Sequence, residues 1–337
     1  LARAAQGRSL VVLDHSYQDI AAAVPGLGPI LYFPRHALST GPIGRRLAAT
    51  WTLVRELRRF DAELLIDLDG LRTSGWLSRL ARARVKTGSA AAQDSRAYSQ
   101  LLPPQRSHPH RFHDYAAYCR HWLGVAPTPG YAAFARVPAD GLLRRVGVCA
   151  AAPLVSIHVG ATKDYKQWPA SHFAQLADWL VEQGFQVALI GAGRSDGERI
   201  AQVLGQCRRQ MHNLHNQLRL SELIALFQAS RFFVGNDSGP MHLAAAAGIP
   251  VFALFGPTDA ARWGPLGANA QVLRHVVACA ATCSRRHCDH DRRCLRTLSP
   301  DVVIWQMKQA IDALPAESVP IAAREECPLR PVRDVAP

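Results

Sequence analysis

Two short stretches of this chain concentrate residue types suited to gripping an anion. The first is Val234-Gly235-Asn236-Asp237-Ser238-Gly239-Pro240-Met241-His242, which reads as a strand, a tight turn and the start of a helix. Backbone N–H groups in the first turn of a helix lack an intrahelical partner, and the helix dipole adds partial positive charge there. Ser238-Gly239-Pro240 would open that helix, Gly239 would let a phosphate approach the backbone, and His242 would sit in the first turn. Asp237 falls at the strand's carboxyl end, where open α/β sheets bind ligands. A plainer reading leaves Asp237 as a helix cap and His242 as a packing residue, and the bare motif does not decide between them. The second stretch is His158-Val159-Gly160-Ala161-Thr162-Lys163-Asp164-Tyr165-Lys166-Gln167-Trp168-Pro169. Thr162 offers a hydroxyl and Lys163 and Lys166 offer charge, as diphosphate recognition requires; the alternative is two solvated lysines on a surface loop. A third loop runs from Phe255 to Pro265, and its Gly256-Pro257 and Gly264-Pro265 pairs fix a turn. Its residues read mostly as structural.

A different chemistry is suggested by Cys279-x3-Cys283-x4-Cys288-x5-Cys294, with His287 and His290 inside it. Thiolates bind zinc or iron, and four of them this close could close one tetrahedral site in a structural role. The spacings are not paired CxxC units, so reduced thiols packed in a loop before the last helix remain the alternative. Cys119, Cys149, Cys207 and Cys327 are scattered and read as free thiols. His108, His110, His113 and His121 fall on a segment that reads as a basic flap rather than as a second metal site.

Holding these loops requires strands and helices around them. In the first half, Leu10–Leu13, Ile30–Phe33 and Leu64–Leu68 read as strands. Residues 45–59 place Leu47, Trp51, Val54 and Leu57 at helical spacing, and further helices are expected from Ser74 to Ala83 and over 114–123. Residues 88–113 show no clear period and read as a loop. The second half alternates strands at 154–158, 186–190, 232–234 and 250–255 with helices at 169–183, 197–206, 220–229, 240–247 and 301–314. Such alternation predicts α/β architecture with parallel sheets. The chain has 337 residues, and at roughly 150 per domain that suggests two domains. Boundaries are expected at 1–140, 141–315 and a poorly ordered tail at 316–337.

With 48% hydrophobic and 19% charged residues the composition excludes collagen-like and wholly disordered chains. Apolar runs such as Pro250–Phe255 are too short to span a bilayer. The formal charge of +13 points to anionic partners: nucleotides, phospholipid head groups, phosphorylated glycans or nucleic acid. No nucleic-acid module is present, so nucleic acid is not expected as a partner.

The three loops, in this order and spacing, resemble glycosyltransferase family 9, the lipopolysaccharide heptosyltransferases. The likeness rests on Asn236-Asp237-Ser238-Gly239-Pro240-Met241-His242-Leu243-Ala244-Ala245-Ala246 followed by Pro250-Val251-Phe252-Ala253-Leu254-Phe255-Gly256-Pro257-Thr258-Asp259, and on Ile66-Asp67-Leu68-Asp69-Gly70-Leu71-Arg72-Thr73-Ser74 in the first half. The resemblance implies a GT-B fold, two Rossmann-like domains facing a cleft, and inverting transfer of heptose or a related sugar from an ADP-heptose-like donor to a lipopolysaccharide core or other glycan. It implies donor contacts from Thr162, Lys166, Asp237, Ser238, Gly239 and His242, with Met241 near the nucleotide, and no metal in catalysis. Partners would be the nucleotide-diphosphate sugar and a glycolipid acceptor, and the location cytoplasmic, with contact at the inner membrane's cytoplasmic face. The family's general base lies in a Gly-Asp loop after its first strand. This chain is expected to begin after that unit, so no base is assigned; Asp14 and Asp69 read as turn or cap residues. A catalytically impaired, nucleotide-sugar-binding relative of the same fold is the alternative. Where the family usually has Gly, this chain has Asn216, which tolerates left-handed backbone angles.

Overall fold

The computed structural model describes residues 9–40, 42–103, 108–279, 283, 288 and 290–312. The chain divides into two compact units, Leu1–Pro129 and Gly130–Pro337. The expected tail at 316–337 lies outside the described residues.

The first unit contains β1 (Val11–Asp14), α1 (Gln18–Ala23), β2 (Ile30–Phe33), α2 (Arg35–Ser39), α3 (Ile43–Phe60), β3 (Ala62–Ile66), α4 (Arg72–Leu80), β4 (Ala83–Ser89), β5 (Gln100–Leu102) and α5 (Phe112–Leu123). β1 pairs with β2, and β3, β4 and β5 form a second sheet; all these pairings are parallel. A small core joins Phe33, Leu53, Leu57 and Ala81 with Leu31, Leu65 and Leu77, so α3 packs on strands of both sheets. This corrects the helical stripe expected from sequence. Leu57 is buried, but Leu47 and Trp51 are 64% and 63% exposed, and Leu53 takes their place. Helical spacing marks a stripe, but its neighbours in space decide which flank is buried. The expected helix through Ala83 stops at Leu80 because Ala81 turns extended and β4 begins. The expected loop at 88–113 also contains β5 and the start of α5. Asp14 caps the turn after β1, accepting from the Ser16 amide, and Asp67 accepts from the amides of Asp69 and Gly70.

The second unit contains α6 (Asp140–Arg145), β6 (Leu154–His158), α7 (Ala170–Glu182), β7 (Gln186–Gly191), α8 (Gly193–Leu204), β8 (His212–His215), α9 (Leu220–Ala229), β9 (Ser230–Asn236), α10 (Gly239–Ala246), β10 (Val251–Phe255), α11 (Ala260–Trp263), β11 (Ala270–Arg274), α12 (Arg293–Arg296) and α13 (Pro300–Asp312). Its strands form one parallel sheet in the order β11-β10-β9-β6-β7-β8. Alternate residues feed two cores. Val155, Ile157, Phe232, Val234, Phe252 and Leu254 meet Trp168, Phe173, Leu176, Ile200 and Met307 on one face. Leu154, Phe233, Val251, Ala253 and Phe255 meet Leu142, Leu226, Phe227, Met241 and Ala244 on the other. A strand covered on both faces tends to be apolar at successive positions, as β10 is; in β6 the run is broken by Ser156, whose hydroxyl meets that of Ser230 at 2.6 Å, and ends at His158. The sheet runs outward from β6 in one direction through β7 and β8, and in the other through β9, β10 and β11. The loops after β6 and β9 therefore leave the carboxyl edge side by side, at the point where the winding reverses.

Candidate active site

His158 closes β6 beside Gly235 of β9, so the loop after one strand faces the turn after the other. Asn236 ties them together. It is fully buried, its Oδ1 accepts from the Trp168 amide at 3.0 Å, and its Nδ2 donates to the Val159 and Gly160 carbonyls at 2.9 and 3.2 Å. Trp168, also fully buried, anchors the far end by donating its indole N–H to the Leu298 carbonyl. The lysine-bearing loop is thus pinned to the sheet at both ends.

The cleft between these loops has a volume of about 240 Å³ and is lined by Thr162, Lys163, Lys166, Asp237, Ser238, Gly239, His242 and Trp263. Six of the seven donor contacts expected from sequence lie here together. Met241 does not: it is fully buried among Phe227, Phe233 and Ala244 in the core beneath α10. The helical period turns it inward while His242, one residue on, faces the cleft.

Ser238 holds the N-cap position of α10 but makes no side-chain cap hydrogen bond. Its hydroxyl instead donates to the Asn236 carbonyl at 3.1 Å and meets His158 Nδ1 at 3.0 Å. The first turn of α10 is therefore not closed by its cap residue, which leaves its N–H groups and the helix dipole to an anion. A Cβ built on Gly239 meets no protein atom within 4 Å, so the space in front of this turn is open. Opposite, Lys166 Nζ lies 2.8 Å from Asp237 Oδ2, with the two side chains 23% and 6% exposed. That carboxylate oxygen is buried and has no hydrogen-bond partner, so the ammonium is what offsets its charge.

Several groups not singled out by sequence complete the site. His158 Nε2 lies 3.3 Å from Asp196 Oδ2, which also accepts from the Ala192 amide at 3.0 Å. Burial pushes the Asp196 carboxyl up, but hydrogen bonds from His158 and Ala192 and the charges of His158 and His215 outweigh it, so it is held below the usual carboxylate range. The Tyr131 hydroxyl accepts from the Leu266 amide at 3.2 Å and meets His242 Nδ1 at 2.7 Å. Burial raises the Tyr131 phenol, partly offset by the Leu266 amide, so it stays protonated. Trp263 of the third loop lines the cleft at 43% exposure rather than serving only to shape a turn. Asn216 adopts a left-handed φ of 56°, and its Oδ1 accepts from the Gly193 amide.

Of the four-cysteine stretch, Cys279, Cys283, Cys288 and Cys294 are described, and His287 lies outside the described residues. Burial raises the Cys294 thiol, and charge on Cys283, Cys288 or Cys279 would raise it further. Among the described residues no three His, Cys, Asp or Glu side chains are grouped to hold a metal ion.

The profile of glycosyltransferase family 9 (heptosyltransferase) matches residues 50–292. The chain belongs to glycosyltransferase family 9. Within this family it is similar to lipopolysaccharide heptosyltransferase 1 of Pseudomonas aeruginosa, at 28% identity over 273 residues and 75% of each chain. It is 40% identical to lipooligosaccharide heptosyltransferase 2 of Haemophilus influenzae over 114 residues, 33% of this chain. The matched stretch spans only about a third of that relative, 33% of its length. In fold it resembles the Escherichia coli ADP-heptose lipopolysaccharide heptosyltransferase II, with a TM-score of 0.71 at 21% identity over 92% of this chain and 91% of that one. A family 9 glycosyltransferase from Veillonella parvula gives a TM-score of 0.76 at 20% identity, covering 91% and 89%. These family 9 likenesses place the chain in the GT-B fold class expected from its sequence. Among the described residues, no helix is long and apolar enough to cross a membrane.

Proposed function

We propose that this chain transfers heptose, or a closely related sugar, with inversion, from an ADP-heptose-like donor to a lipopolysaccharide-core glycan. The observation that carries the reading is the cleft itself. An uncapped helix N-terminus at Ser238-Gly239 and two lysines on a pinned loop converge on one space, as a sugar diphosphate requires. Thr162 and Lys166 would contact the diphosphate, Gly239 would give it backbone N–H groups, and Asp237, Ser238 and His242 would hold sugar and phosphate. The acceptor hydroxyl would attack the anomeric carbon as the bond to the diphosphate breaks. The charge growing on that leaving group is what fixed N–H groups and a lysine stabilise, without a metal. The relatives' names, heptosyltransferases acting on lipopolysaccharide and lipooligosaccharide, support the choice of sugar and acceptor. A net charge of +13 suits an anionic glycolipid and contact with the cytoplasmic face of an anionic membrane.

The test is ADP binding by calorimetry and transfer from ADP-heptose to a heptose-deficient core acceptor. Transfer is expected in the native chain and lost in Asp237→Ala and Lys166→Ala. Absence of ADP binding would overturn the reading. Binding without transfer would leave a nucleotide-sugar-binding relative instead.

A further inference from the structure

Resting on the membrane contact proposed above, we infer that it is made by one face of the first unit, where α3 and the groove beside its C-terminal end dock on the phospholipid head groups of an anionic bilayer. α3 turns Leu53 and Leu57 inward and leaves a second apolar row outside. Ile43 is 72% exposed, and with Leu47 and Trp51 it repeats every four residues along about 12 Å of the helix. Single exposed apolar side chains are ordinary; three large ones on one helix line are not. α3 also carries Arg45, Arg46, Arg55, Arg58 and Arg59, all exposed, against Glu56 as its one acid. At 3.6 residues per turn Arg58 falls on the line between Leu47 and Trp51. The Arg55 guanidinium lies 5.3 Å from the Trp51 ring centroid.

Arg58 carries the basic surface onto the neighbouring sheet, its Nε donating to the Leu80 carbonyl at 3.2 Å. There, where β3 and β4 open with the Ala62–Ala83 pair, lies a groove of about 500 Å³ lined by Arg82, Arg84 and Lys86 and by Asp61 and Glu63. Burial, and then the Arg58 charge, lowers the Lys86 ammonium from its ordinary value, so these cations repel and an anion would relieve them. This is the amino edge of the sheet, away from the carboxyl edge where α/β units bind their ligands. Whatever covers the face must satisfy arginines and apolar side chains in one plane. A soluble polyanion would pair the arginines and leave Ile43, Leu47 and Trp51 in water. A second copy of the chain, set across a two-fold axis, would put arginine against arginine. A bilayer surface offers phosphates beside acyl carbon, so the arginines reach head groups while the leucine and tryptophan enter the boundary beneath, where indole rings are favoured.

The experiment is co-sedimentation of the full chain with vesicles of equal parts phosphatidylglycerol and phosphatidylcholine, and with vesicles of phosphatidylcholine alone. Binding is expected on the mixed vesicles, falling as salt is raised, and is expected to be weak on phosphatidylcholine. Leu47→Ser with Trp51→Ser, and separately Arg55→Glu with Arg59→Glu, should each weaken it by at least about tenfold. Both pairs alter exposed side chains, and either one decides if the other fails to fold. Arg136→Glu with Arg144→Glu, an equal charge change on exposed arginines of the second unit, should bind the vesicles as the native chain does. No binding to mixed vesicles, equal binding to phosphatidylcholine alone, equal losses in the Arg136 and Arg55 pairs, or native affinity in the Leu47 pair would each overturn the inference. So would a native dimer that the Leu47 pair makes monomeric, since the row would then be a contact between copies. Vesicle binding without ADP binding would sink the proposed donor site and leave this surface standing; ADP binding without vesicle binding would do the reverse.

Discussion

Lys166 and Asp237 face each other in the cleft, yet removing them one at a time should have opposite consequences. Lys166→Ala leaves a carboxylate that is 6% exposed, with its Oδ2 already lacking a hydrogen-bond partner. Breaking a fully buried pair this way costs about 3–5 kcal/mol. Lys166 is 23% exposed, so water reaches one side of the vacated space. We expect a loss of about 2 kcal/mol, below that scale because solvent screens the exposed side. For a unit of this size that lowers Tm by roughly 4–8 °C. Asp237→Asn instead leaves a partly exposed ammonium that can turn to water, at about 1 kcal/mol or less. The double variant should be more stable than Lys166→Ala by about 1 kcal/mol, because the orphaned charge is gone. Binding should split the other way. Lys166→Ala should weaken ADP about tenfold, whereas Asp237→Asn, which removes a negative charge from a phosphate site, should bind ADP at least as tightly and still fail in transfer. Urea and thermal unfolding of the four chains, with ADP titrations, measure all of this. Strictly additive destabilisation, or Asp237→Asn being the less stable single variant, would refute the reasoning.

Three further outcomes follow from the same geometry. Asn236→Leu should cost about 3 kcal/mol in urea unfolding, since it strips the Trp168 amide and two loop carbonyls of their buried partner; a loss under about 1 kcal/mol would mean the loop is held elsewhere. Gly239→Ala should leave unfolding within about 0.5 kcal/mol of the native chain, because its Cβ meets no protein atom, yet weaken ADP at least about tenfold by filling the phosphate's approach. Unchanged ADP affinity there would place the anion away from this turn. For Asp196 the carboxyl is lowered in the folded chain, so its stabilisation is present above its unfolded value and is lost as pH falls through the folded one. The stability gap between the native chain and Asp196→Asn should hold from neutral pH down to about 4 and close below it, measured as urea midpoints along a pH series.

The second unit was legible because its central strands are buried on both faces. Val155, Ile157 and Val251 to Phe255 are apolar and buried, and the helices between these strands carry their own start signals, as Pro169 does before α7. The edge strands β8 and β11 were not, since Asn213, Gln271 and Arg274 are exposed and the buried His212 is itself polar, which breaks the apolar run. In the first unit β4 hid behind Arg84 and Lys86, and α3 turned its Leu53 flank inward because β2 and β3 lie there, a fact of tertiary packing that no local period records.

The same distinction separates the parts of the site. Lys166, Asp237 and Gly239 could be read from sequence because each sits on a strand-to-helix loop whose chemistry is local. Asn236, His158, Asp196 and Tyr131 act across the sheet. His158 and Asp196 are 38 residues apart, and Tyr131 and His242 are 111 apart. A buried asparagine that ends a strand looks like an ordinary turn residue until the neighbouring loop is placed against it. The winding of the sheet does that placing: it brings the ends of β6 and β9 together, so a staple on one strand can hold the ligand loop of the other. Substituting Asn236 should therefore impair binding through Lys166 and Thr162, residues it does not touch. Tightening of ADP binding when that loop is re-anchored by other means would identify loop position, rather than lost contacts, as what the asparagine controls.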